Sequence, residues 1–349
     1  MQLATCLLLV VSAASLLTGC RGPQSTSPSP AFTVTAAAET SPVASSGDAA
    51  DDPAVWFNSP HPDQSRVIGT NKKGGLAVYD LEGKELQFLP VGRVNNVDLR
   101  QAVPTPAGPM DLVAASHRER KGITLCRVTP AGLLEELAGS PLPTSVEEPY
   151  GLCCWLDSST NRFSVFVNDK SGRVEQWIVV VDTQQKASAT FARSWKLSSQ
   201  VEGMVADDQT GSLFIGEEAV GVWHVDLRAA SAVPTRVASA TAAGPLVADV
   251  EGVALATTAR GPILLVSSQG SNSYAVYAAK PPFEPLGSFR ISAGALGSVE
   301  ETDGIEVCQR VRTPRFPTGL FVAQDGLNEP RPQNFKMVSW TDIEAGLGK

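Results

Sequence analysis

Short apolar runs recur along nearly the whole chain, and polar residues alternate with them at the period of two that indicates half-buried β-strands. The runs come in pairs separated by a turn, as in RVIGTN from Arg66 and GLAVYDL from Gly75. The pair recurs as DLVAAS with ITLCRV, FSVFVND with RVEQWIV, SLFIGEE with GVWHVDL, ILLVSSQ with SYAVYA, and GLFVAQD with FKMVSW. The pattern predicts six copies of one strand-rich unit.

A third element precedes each pair: an acidic or amide residue followed closely by a short apolar run. Its copies are DDPAVW from Asp51, NNVDL, EEPYGL, VEGMVA, VEGVAL and ETDGIEV, which follow one another at intervals of 44 to 54 residues. Turns such as LEGK at Leu81 lead to fourth strands such as Leu86–Phe88. Six in-phase units of about four antiparallel strands predict an all-β, six-bladed β-propeller, because a β-sandwich would not need six in-phase copies.

The two ends of the repeat carry their own signals. Residues 31–37 alternate but belong to no unit, so we expect an N-terminal strand to pair with the last blade and close the ring. The C-terminal residues Trp340–Leu347 form the one helical pattern outside the N-terminal region.

The N-terminal region predicts export. The apolar run Leu7–Leu17 is too short to span a membrane and is typical of a signal peptide. It ends in LTGC, which resembles the bacterial lipobox and implies lipidation of Cys20; an ordinary cleavage site, giving a periplasmic or secreted product, is the alternative. The predicted organisation is a signal peptide at 1–19, a lipid-attachment cysteine with a Ser/Pro-rich tether at 20–30, and a propeller at 31–349.

Composition narrows the possible chemistry. The chain has 28 Lys and Arg against 36 Asp and Glu, and this acidic balance argues against nucleic-acid binding. Only three histidines are present, and the cysteines have no zinc spacing. Neighbouring residues on a strand face opposite sides, so Cys153 and Cys154 are not expected to bond to each other. We expect the cysteines after Cys20 to be buried apolar residues with at most one disulfide: Cys126, Cys153, Cys154 and Cys308.

Equivalent positions of propeller blades lie in a ring, so the polar residues that open each unit should meet at one mouth of the molecule. They are Asp51, Asp52, Asn95, Glu147, Glu148, Glu202, Glu251 and Asp303, with Glu217, Glu218 and Asp325 from the ends of the second strands. So many carboxylates repel one another, and a hard cation with oxygen ligands would relieve the repulsion. The pattern therefore favours calcium over zinc, the alternative being ordinary solvated turn residues.

Basic residues follow the second strands of the first three units. Lys72, Arg118 and Lys170 stand at corresponding places, beside the predicted acidic mouth. Cations next to a calcium cluster suit a phosphorylated substrate, although each could instead be a solvated strand end. The sequence contains no Cys-x5-Arg phosphate loop, RHGxRxP motif, GxxxxGK[ST] loop or GxSxG motif.

Several longer strings resemble the β-propeller phytases. They are DDPAVW, TNKKGGLAVYDLEGK, NNVDLR, EGMVADDQTGSLFIGEE, VEGVAL, SSQGSNSYAVY, TDGIEV, and GLFVAQDG followed by NFKMVSW. The resemblance runs from about Glu39 to the C-terminus. It implies a calcium-dependent phosphomonoesterase of the 3-phytase type. Such an enzyme hydrolyses phytate (myo-inositol hexakisphosphate) to lower inositol phosphates and phosphate by direct attack of a calcium-activated water.

The resemblance also implies residue roles. Catalytic residues would be Asp51, Tyr150, Glu202, Glu218 and Glu251. Substrate phosphates would be held by Lys72, Lys73, Arg118, Tyr150 and Lys170. Several calcium ions would be bound by Glu39, Asp51, Asp52, Val97, Glu202, Glu218, Glu251 and Asp303. One departure is the loop from Asp325 to Asn334, which is shorter than the family pattern and weakens the expectation of one stabilising calcium site.

Two other functions stay open at this point: a non-catalytic calcium-stabilised binding module, and a propeller lactonase or esterase. We expect a monomer that binds inositol polyphosphates, binds no nucleic acid, and contacts a membrane only through a lipid anchor.

Overall fold

Each unit of the sequence repeat folds as one antiparallel sheet in the computed structural model, which describes residues 31–348. The chain enters through two short strands, β1 (Phe32–Val34) and β2 (Ala38–Glu39). The predicted signal peptide, Cys20 and the tether lie outside the described residues. Within the described part of the chain, no helix has both the length and the apolar character needed to cross a bilayer.

The first three blades follow in chain order. Blade one contains β3 (Ala50–Trp56), β4 (Arg66–Asn71), β5 (Gly75–Tyr79) and β6 (Glu85–Leu89), with a 3-10 turn at Pro62–Gln64. Blade two contains β7 (Val94–Val103), β8 (Met110–His117), β9 (Gly122–Val128), β10 (Leu134–Glu136) and the short β11 (Leu142–Pro143). Blade three contains β12 (Leu152–Asp157), β13 (Arg162–Asn168), β14 (Arg173–Val181) and β15 (Ala187–Lys196).

The last three blades repeat the plan. Blade four contains β16 (Val201–Ala206), β17 (Ser212–Glu217), β18 (Gly221–Asp226) and β19 (Thr235–Ser239). Blade five contains β20 (Val250–Thr258), β21 (Gly261–Ser268), β22 (Ser273–Ala278) and β23 (Pro285–Ile291), with a 3-10 turn at Gln269–Ser271. Blade six contains β24 (Ile305–Cys308), β25 (Leu320–Asp325) and β26 (Asn334–Ser339), and the helix α1 (Trp340–Leu347) follows as predicted.

The six-bladed propeller is confirmed. The first strand of each blade contacts the first strands of the blades before and after it, so β3, β7, β12, β16, β20 and β24 form a closed ring around the central channel. Six apolar clusters lie between consecutive blades. In one of them, Phe335 of blade six packs against Tyr79 of blade one, with 6.3 Å between ring centroids. Gly69 makes room for Phe335, because a Cβ there would lie 2.2 Å from the ring.

The N-terminal segment divides between two blades. The predicted closure occurs through β2, which pairs antiparallel with β26 and gives blade six its fourth strand. The residues just before it were expected to do this, but β1 pairs in parallel with β23 of blade five. Phe32 of β1 stacks on Phe289 of β23 with 5.6 Å between centroids, and this apolar contact explains the attachment to blade five.

A buried ammonium fastens the closing strand. Glu39 and Lys336 are direct cross-strand partners, and their side chains form an ion pair. Lys336 Nζ also lies 2.8 Å from the Leu296 carbonyl oxygen and 3.4 Å from a carboxylate oxygen of Asp325. Burial opposes ionisation of Glu39, but hydrogen bonds from Arg331, Lys336 and Asn334 lower its pKa to about 2. The closing strand is therefore held by charges as well as by its backbone hydrogen bonds.

All four described cysteines are buried and free, as their predicted role as small apolar residues requires.

We predict that Lys336→Met lowers the free energy of unfolding by about 3–5 kcal/mol, because it leaves the buried Asp325 without a cation and removes one of the two cations that pair with Glu39. Urea unfolding at pH 7 measures the loss. Lys84→Met, at an exposed turn of blade one, is the matched control and should change stability by less than about 0.5 kcal/mol. Equal stabilities of the Lys336 variant and the parent would show that Lys336 does not fasten the ring.

Candidate active site

An irregularity in the first strands sets which residues meet at the mouth. In β3, β7, β16 and β20, the pairing register with the next strand shifts immediately after the first residue of the strand. A β-bulge of this kind re-aims side chains next to functional sites. The first residues within the four shifts are Asp51, Asn95, Glu202 and Glu251.

The structure also shows which residues of the first two blades correspond to Glu202 and Glu251. They lie one position earlier in the chain than the residues from which the repeat is counted in the sequence. Asp51 and Asn95, not Asp52 and Asn96, correspond to Glu202 and Glu251. Asp52 instead occupies the position that Gly203 takes in blade four. The doublets Asp51-Asp52 and Asn95-Asn96 conceal this, because both members are polar.

Glycine at the next position lets neighbouring blades approach the axis closely. A Cβ on Gly203 would lie 2.2 Å from the carbonyl oxygen of Glu251, and one on Gly252 would lie 2.6 Å from that of Asp303. Both distances are too short for any side chain. The Glu-Gly and Asp-Gly pairs of the repeat thus bring successive carboxylates together around the mouth.

The mouth encloses a cavity of about 280 Å³. Its lining is almost entirely polar: Asp48, Lys72, Tyr150, Gln200, Glu202, Glu218, Glu251, Gln269, Glu301, Asp303, Gly326 and Gln333. Residues of five blades and of the N-terminal arm contribute to it. The ring architecture therefore gathers chain segments that are far apart in sequence.

Three carboxylates form the centre of the cavity. One oxygen from each of Glu202, Glu218 and Glu251 lies within 4.8 Å of the other two. Glu218 Oε1 and Glu251 Oε2 are buried, and neither has a hydrogen-bond partner among residues 31–348. Asp51 Oδ1 is also buried without a hydrogen bond in that range, although Lys72 Nζ lies 3.0 Å away at ion-pair distance. These oxygens fit a hard divalent cation, because every ligand atom would be a carboxylate oxygen and several of these oxygens accept no hydrogen bond from residues 31–348.

Burial and mutual repulsion favour the protonated forms of this cluster. Burial and then the charges of Asp51 and Asp303 raise the pKa of Glu202. Burial and then the charges of Glu202 and Asp303 raise the pKa of Glu251. Burial also raises the pKa of Glu218. Protons therefore compete with a cation for these oxygens, at a higher pH than for a solvated carboxylate.

Lys72 supplies the compensating positive charge within the cluster. Its Nζ lies 3.0 Å from Asp51 Oδ1 and 3.2 Å from Asp303 Oδ2, and it also pairs with Asp48. Burial alone would lower the pKa of Lys72, but the charges of Asp51 and Asp303 outweigh it and raise that pKa. Lys72 is therefore a permanent cation at the mouth.

Asn95 connects the carboxylates to the basic side. Its Nδ2 donates to Asp51 Oδ2 and to Glu202 Oε1, each at 2.8 Å. Its Oδ1 lies 3.5 Å from Arg118 Nη1. The amide fixes one oxygen of each carboxylate and leaves the other oxygen of each for a ligand.

The opposite side of the mouth is basic and aromatic. Lys170 Nζ lies 4.3 Å from the centroid of the Tyr150 ring, and the Arg118 guanidinium lies 5.6 Å from it. Arg118 pairs with Glu148 at 2.6 Å. Burial and then the charge of Glu202 raise the pKa of Tyr150, so its phenol stays protonated. Tyr150 thus separates the acidic cluster from two cations.

Two predicted metal residues lie below the mouth, in a central channel of about 440 Å³. Asp52 and Val97 both line it, and Asp52 Oδ2 accepts a hydrogen bond from Val97 N at 3.0 Å. Burial and then the charge of Asp51 raise the pKa of Asp52. Asp303 stays at the mouth, where Gln269 Nε2 donates to its Oδ1 at 2.8 Å.

Other predicted residues lie away from the cluster. Glu39 pairs with Lys336 and Arg331, so its oxygens are occupied by cationic groups and do not fit a calcium ion. Lys73 is exposed and its Nζ contacts the carbonyl oxygen of Ser46. Glu217 accepts hydrogen bonds from Ser198, Ser199 and Trp223 away from the mouth, Asp325 pairs with Lys336, and Glu147 is exposed.

Sequence reasoning missed several residues that line the mouth, among them Gln269 and Asp48. Gln269 follows the second strand of blade five as Lys72 and Arg118 follow theirs, so the phase of the repeat could have identified it. Asp48 belongs to the N-terminal arm, outside the repeat, and no sequence signal marks it.

Comparisons with known proteins bear on this site. A family model described as Phytase matches residues 1–349. A curated 3-phytase of Bacillus subtilis (strain 168) is 38% identical over 329 residues, which cover 91% of this chain and 86% of the relative.

Two solved structures show a partial likeness. A functionally unknown protein from Desulfotomaculum acetoxidans DSM 771 is 14% identical, with a TM-score of 0.47 over 68% of this chain and 70% of that one. The β-propeller domain of Myceliophteria thermophila Cps50 (Swd1) is 12% identical, with a TM-score of 0.45 over 83% of each chain. Both scores are too low to support an argument about function.

We predict that Glu251→Gln has opposite effects with and without a bound divalent cation. In chelator at pH 7–8 the variant should be more stable than the parent by on the order of 1 kcal/mol, because one of several repelling buried charges is gone. The sign follows from linkage: a carboxyl pKa raised in the folded state reduces stability as pH rises above the unfolded pKa of about 4.3. With excess calcium the variant should be the less stable protein, because a ligand is lost.

Thermal unfolding at both conditions measures the two effects. Glu284→Gln, at an exposed turn of the same blade, is the control and should change neither. A Glu251 variant that is destabilised equally in chelator and in calcium would contradict the repulsion argument.

Proposed function

This chain belongs to the phytase family, and on that premise we propose that it hydrolyses phytate at the mouth with calcium ions held by the carboxylate cluster. In the reaction the oxygen of water forms a bond to phosphorus and the ester P–O bond breaks. The inositol oxygen leaves with a proton. The products are inorganic phosphate and an inositol phosphate with one phosphate fewer.

One observation carries the proposal: a carboxylate cluster with unused oxygens lies beside three cations. The cluster is Glu202, Glu218 and Glu251. Lys72 lies on one side of it, and Arg118 and Lys170 lie beyond Tyr150. A site of cations alone would bind phosphate, and a site of carboxylates alone would bind metal. The combination suits a metal-assisted reaction of a phosphate ester.

Asp51, Glu202, Glu218 and Glu251 would hold calcium at the mouth, with Asp303 at a neighbouring position. Asp52 and Val97 would hold a structural ion in the channel. When bound, calcium would neutralise the cluster, stabilise charge on phosphoryl oxygens and lower the pKa of a water molecule.

The residues of the chain supply binding and orientation. Lys72 presents its ammonium to a phosphoryl oxygen from within the cluster. Arg118 offers a planar fork that matches two phosphate oxygens, and Lys170 adds a point charge. Tyr150 places the ring against which Lys170 and Arg118 pack, and its protonated hydroxyl can donate to a phosphate. Lys73, the chain neighbour of Lys72, would meet a second phosphate of the same inositol ring.

We also propose that the protein is exported and acts as a monomer. Its N-terminal apolar run and the lipobox-like LTGC support export and lipid attachment at Cys20 in the bacterial envelope.

We predict that phosphate release by this protein requires calcium. Phosphate release from phytate should fall to background in excess chelator and return when calcium is restored, because the cluster cannot bind an anion while its own charges are uncompensated. A phosphate assay on the purified protein measures this. A calcium-dependent rise in melting temperature with no release of phosphate would instead indicate a non-catalytic calcium-stabilised module.

We also predict that the cationic side chains at the mouth are needed for activity. Lys72→Glu and Arg118→Glu should each lower kcat/KM for phytate by about a hundredfold or more, because each replaces a donor to the phosphate with a repelling charge. Lys84→Glu, distant from the mouth, is the charge-matched control and should leave kcat/KM unchanged. Circular dichroism and the unfolding midpoint in calcium check that the variants fold. Full activity of both variants would exclude these cations from substrate binding.

A further inference from the structure

A third cavity, lined by both polar and apolar residues, lies between blades three and four, at the end of the blades opposite the mouth. Its volume is about 480 Å³. Strand β13 begins at Arg162, which lines this cavity, and ends at Asn168, whose side chain donates to the Glu202 carbonyl oxygen near the mouth. Six steps along a strand span roughly 20 Å, so the cavity is separate from the active site.

Two guanidinium groups in this cavity have no carboxylate partner within residues 31–348. Arg162 is exposed and forms no ion pair or side-chain hydrogen bond with the described chain. Arg193 donates from Nε to Gln176 Oε1 at 2.7 Å and from Nη2 to the Leu227 carbonyl oxygen at 2.8 Å. Both acceptors are neutral, so they orient the Arg193 guanidinium without cancelling its charge.

The two guanidiniums also repel each other. Burial and then the charge of Arg162 lower the pKa of Arg193. The guanidinium of Arg193 packs over the Trp195 ring at 5.1 Å, which holds it in place. Two neighbouring guanidiniums raise the local positive potential, which favours the binding of an anion.

A buried indole adds an unused donor to the same lining. Trp155 is only 4% exposed, and its Nε1 has no hydrogen-bond acceptor among the described residues. An unsatisfied buried donor carries a free-energy cost, and such groups deserve a specific explanation. The cavity thus combines two guanidiniums that form no ion pair within residues 31–348 with an N–H group that lacks an acceptor there.

The carboxylate in the cavity is already fully engaged. Asp157 accepts hydrogen bonds from Ser159, from Thr160 at 2.6 Å and from Arg228 at 2.9 Å. Burial opposes its ionisation, but these hydrogen bonds hold the pKa of Asp157 below its usual range. Asp157 therefore pairs with Arg228, and the positive charge of Arg162 and Arg193 is offset only in part, by the charge of Asp226 acting on Arg193.

We propose that this cavity is a second anion site, which binds a phosphate-bearing small molecule through Arg162, Arg193 and the indole N–H of Trp155. Paired guanidiniums match the charge and the several oxygens of a phosphoryl group better than those of a single carboxylate. The volume suits a small molecule. The identity of the ligand rests on the proposed function, because the reaction of the mouth releases phosphate and inositol phosphates; the donors of the cavity do not depend on it.

The test is a binding titration of the full chain in chelator, without calcium, so that no phytate is hydrolysed and no calcium phosphate forms. Inorganic phosphate, myo-inositol hexakisphosphate and acetate are titrated separately by calorimetry. We expect one class of site for a phosphate ligand, because the mouth binds no anion without calcium, and Arg162→Gln with Arg193→Gln should weaken that class at least tenfold. Arg260→Gln, an exposed arginine at a turn of blade five, is the matched control and should retain the parent's binding.

The single variant Arg162→Gln guards against misfolding, because this exposed side chain has no described partner to lose. It should weaken the same class by several fold. Parent-like binding of both ligands by the double variant would overturn the proposal, and so would acetate binding as tight as phosphate. A preference for inorganic phosphate or for the hexakisphosphate identifies which one the cavity takes.

Trp155→Phe gives an independent measurement. It removes the unused N–H but keeps an aromatic ring; because the smaller ring also leaves a cavity in the core, the midpoint of each protein is compared with and without phosphate. The rise of the midpoint on adding phosphate should be smaller than in the parent, because a donor to the ligand is gone. A Trp155 variant with the full phosphate-dependent rise would remove the indole from the site and contradict the proposal.

Failure of this inference is distinguishable from failure of the proposed function. The arginine variants should keep the parent kcat/KM for phytate in calcium at low phosphate, because neither arginine lies at the mouth. Absence of phosphate release in the parent would refute the phytase reaction here, while the calorimetric result in chelator would still decide whether the second site exists.

Discussion

Repulsion among buried carboxylates is the constraint on which the rest of the molecule depends. Glu202, Glu218 and Glu251 lie close enough to share a ligand, and burial with mutual repulsion raises their pKa values. A chain free to relax would separate them. The closed ring prevents this, because each first strand is held between its neighbours by apolar packing, so the stability of the propeller maintains an arrangement that is unfavourable by itself.

The negative charge of the cluster is only partly balanced by neighbouring groups, and this leaves the site able to bind ligands. Lys72 balances part of the charge through Asp51 and Asp303, and Asn95 orders one oxygen each of Asp51 and Glu202. The remaining oxygens have unused acceptor capacity. A contrasting solution closes the ring at blade six, where Lys336 and Arg331 fully occupy Glu39. A glutamate with few hydrogen-bond partners in the protein thus remains able to bind a ligand, whereas a glutamate with several cationic partners stabilises the fold.

Charge is also distributed unevenly around the ring. Blades one to three place Lys72, Arg118 and Lys170 at the mouth, whereas blades four and five place Glu218, Glu202 and Glu251 there. A repeat in which every blade carried the same residue could bind only one sign of charge. Divergence at equivalent positions of one fold therefore creates a site for a metal and an anion together. The opposite end of blades three and four carries two arginines of its own, Arg162 and Arg193, which form no ion pair within residues 31–348.

The sequence by itself determined the fold and the residue types of the site. Period-two alternation in six in-phase units leaves few architectures that can bury every strand, and the residues of the mouth stand at repeating positions. Tertiary structure decided three matters. It showed that Asp51 and Asn95 occupy the positions equivalent to Glu202. The sequence could not show this, because both residues of each doublet are polar and the position of the register shift is not visible. It showed that Glu39 pairs with Lys336 and that Asp48 pairs with Lys72. It also showed that Trp155, Arg162 and Arg193 line one cavity. The contacts of Glu39 and Asp48 join a segment outside the repeat to a blade, and the three cavity residues come from different strands of blade three, so no spacing along the chain encodes them.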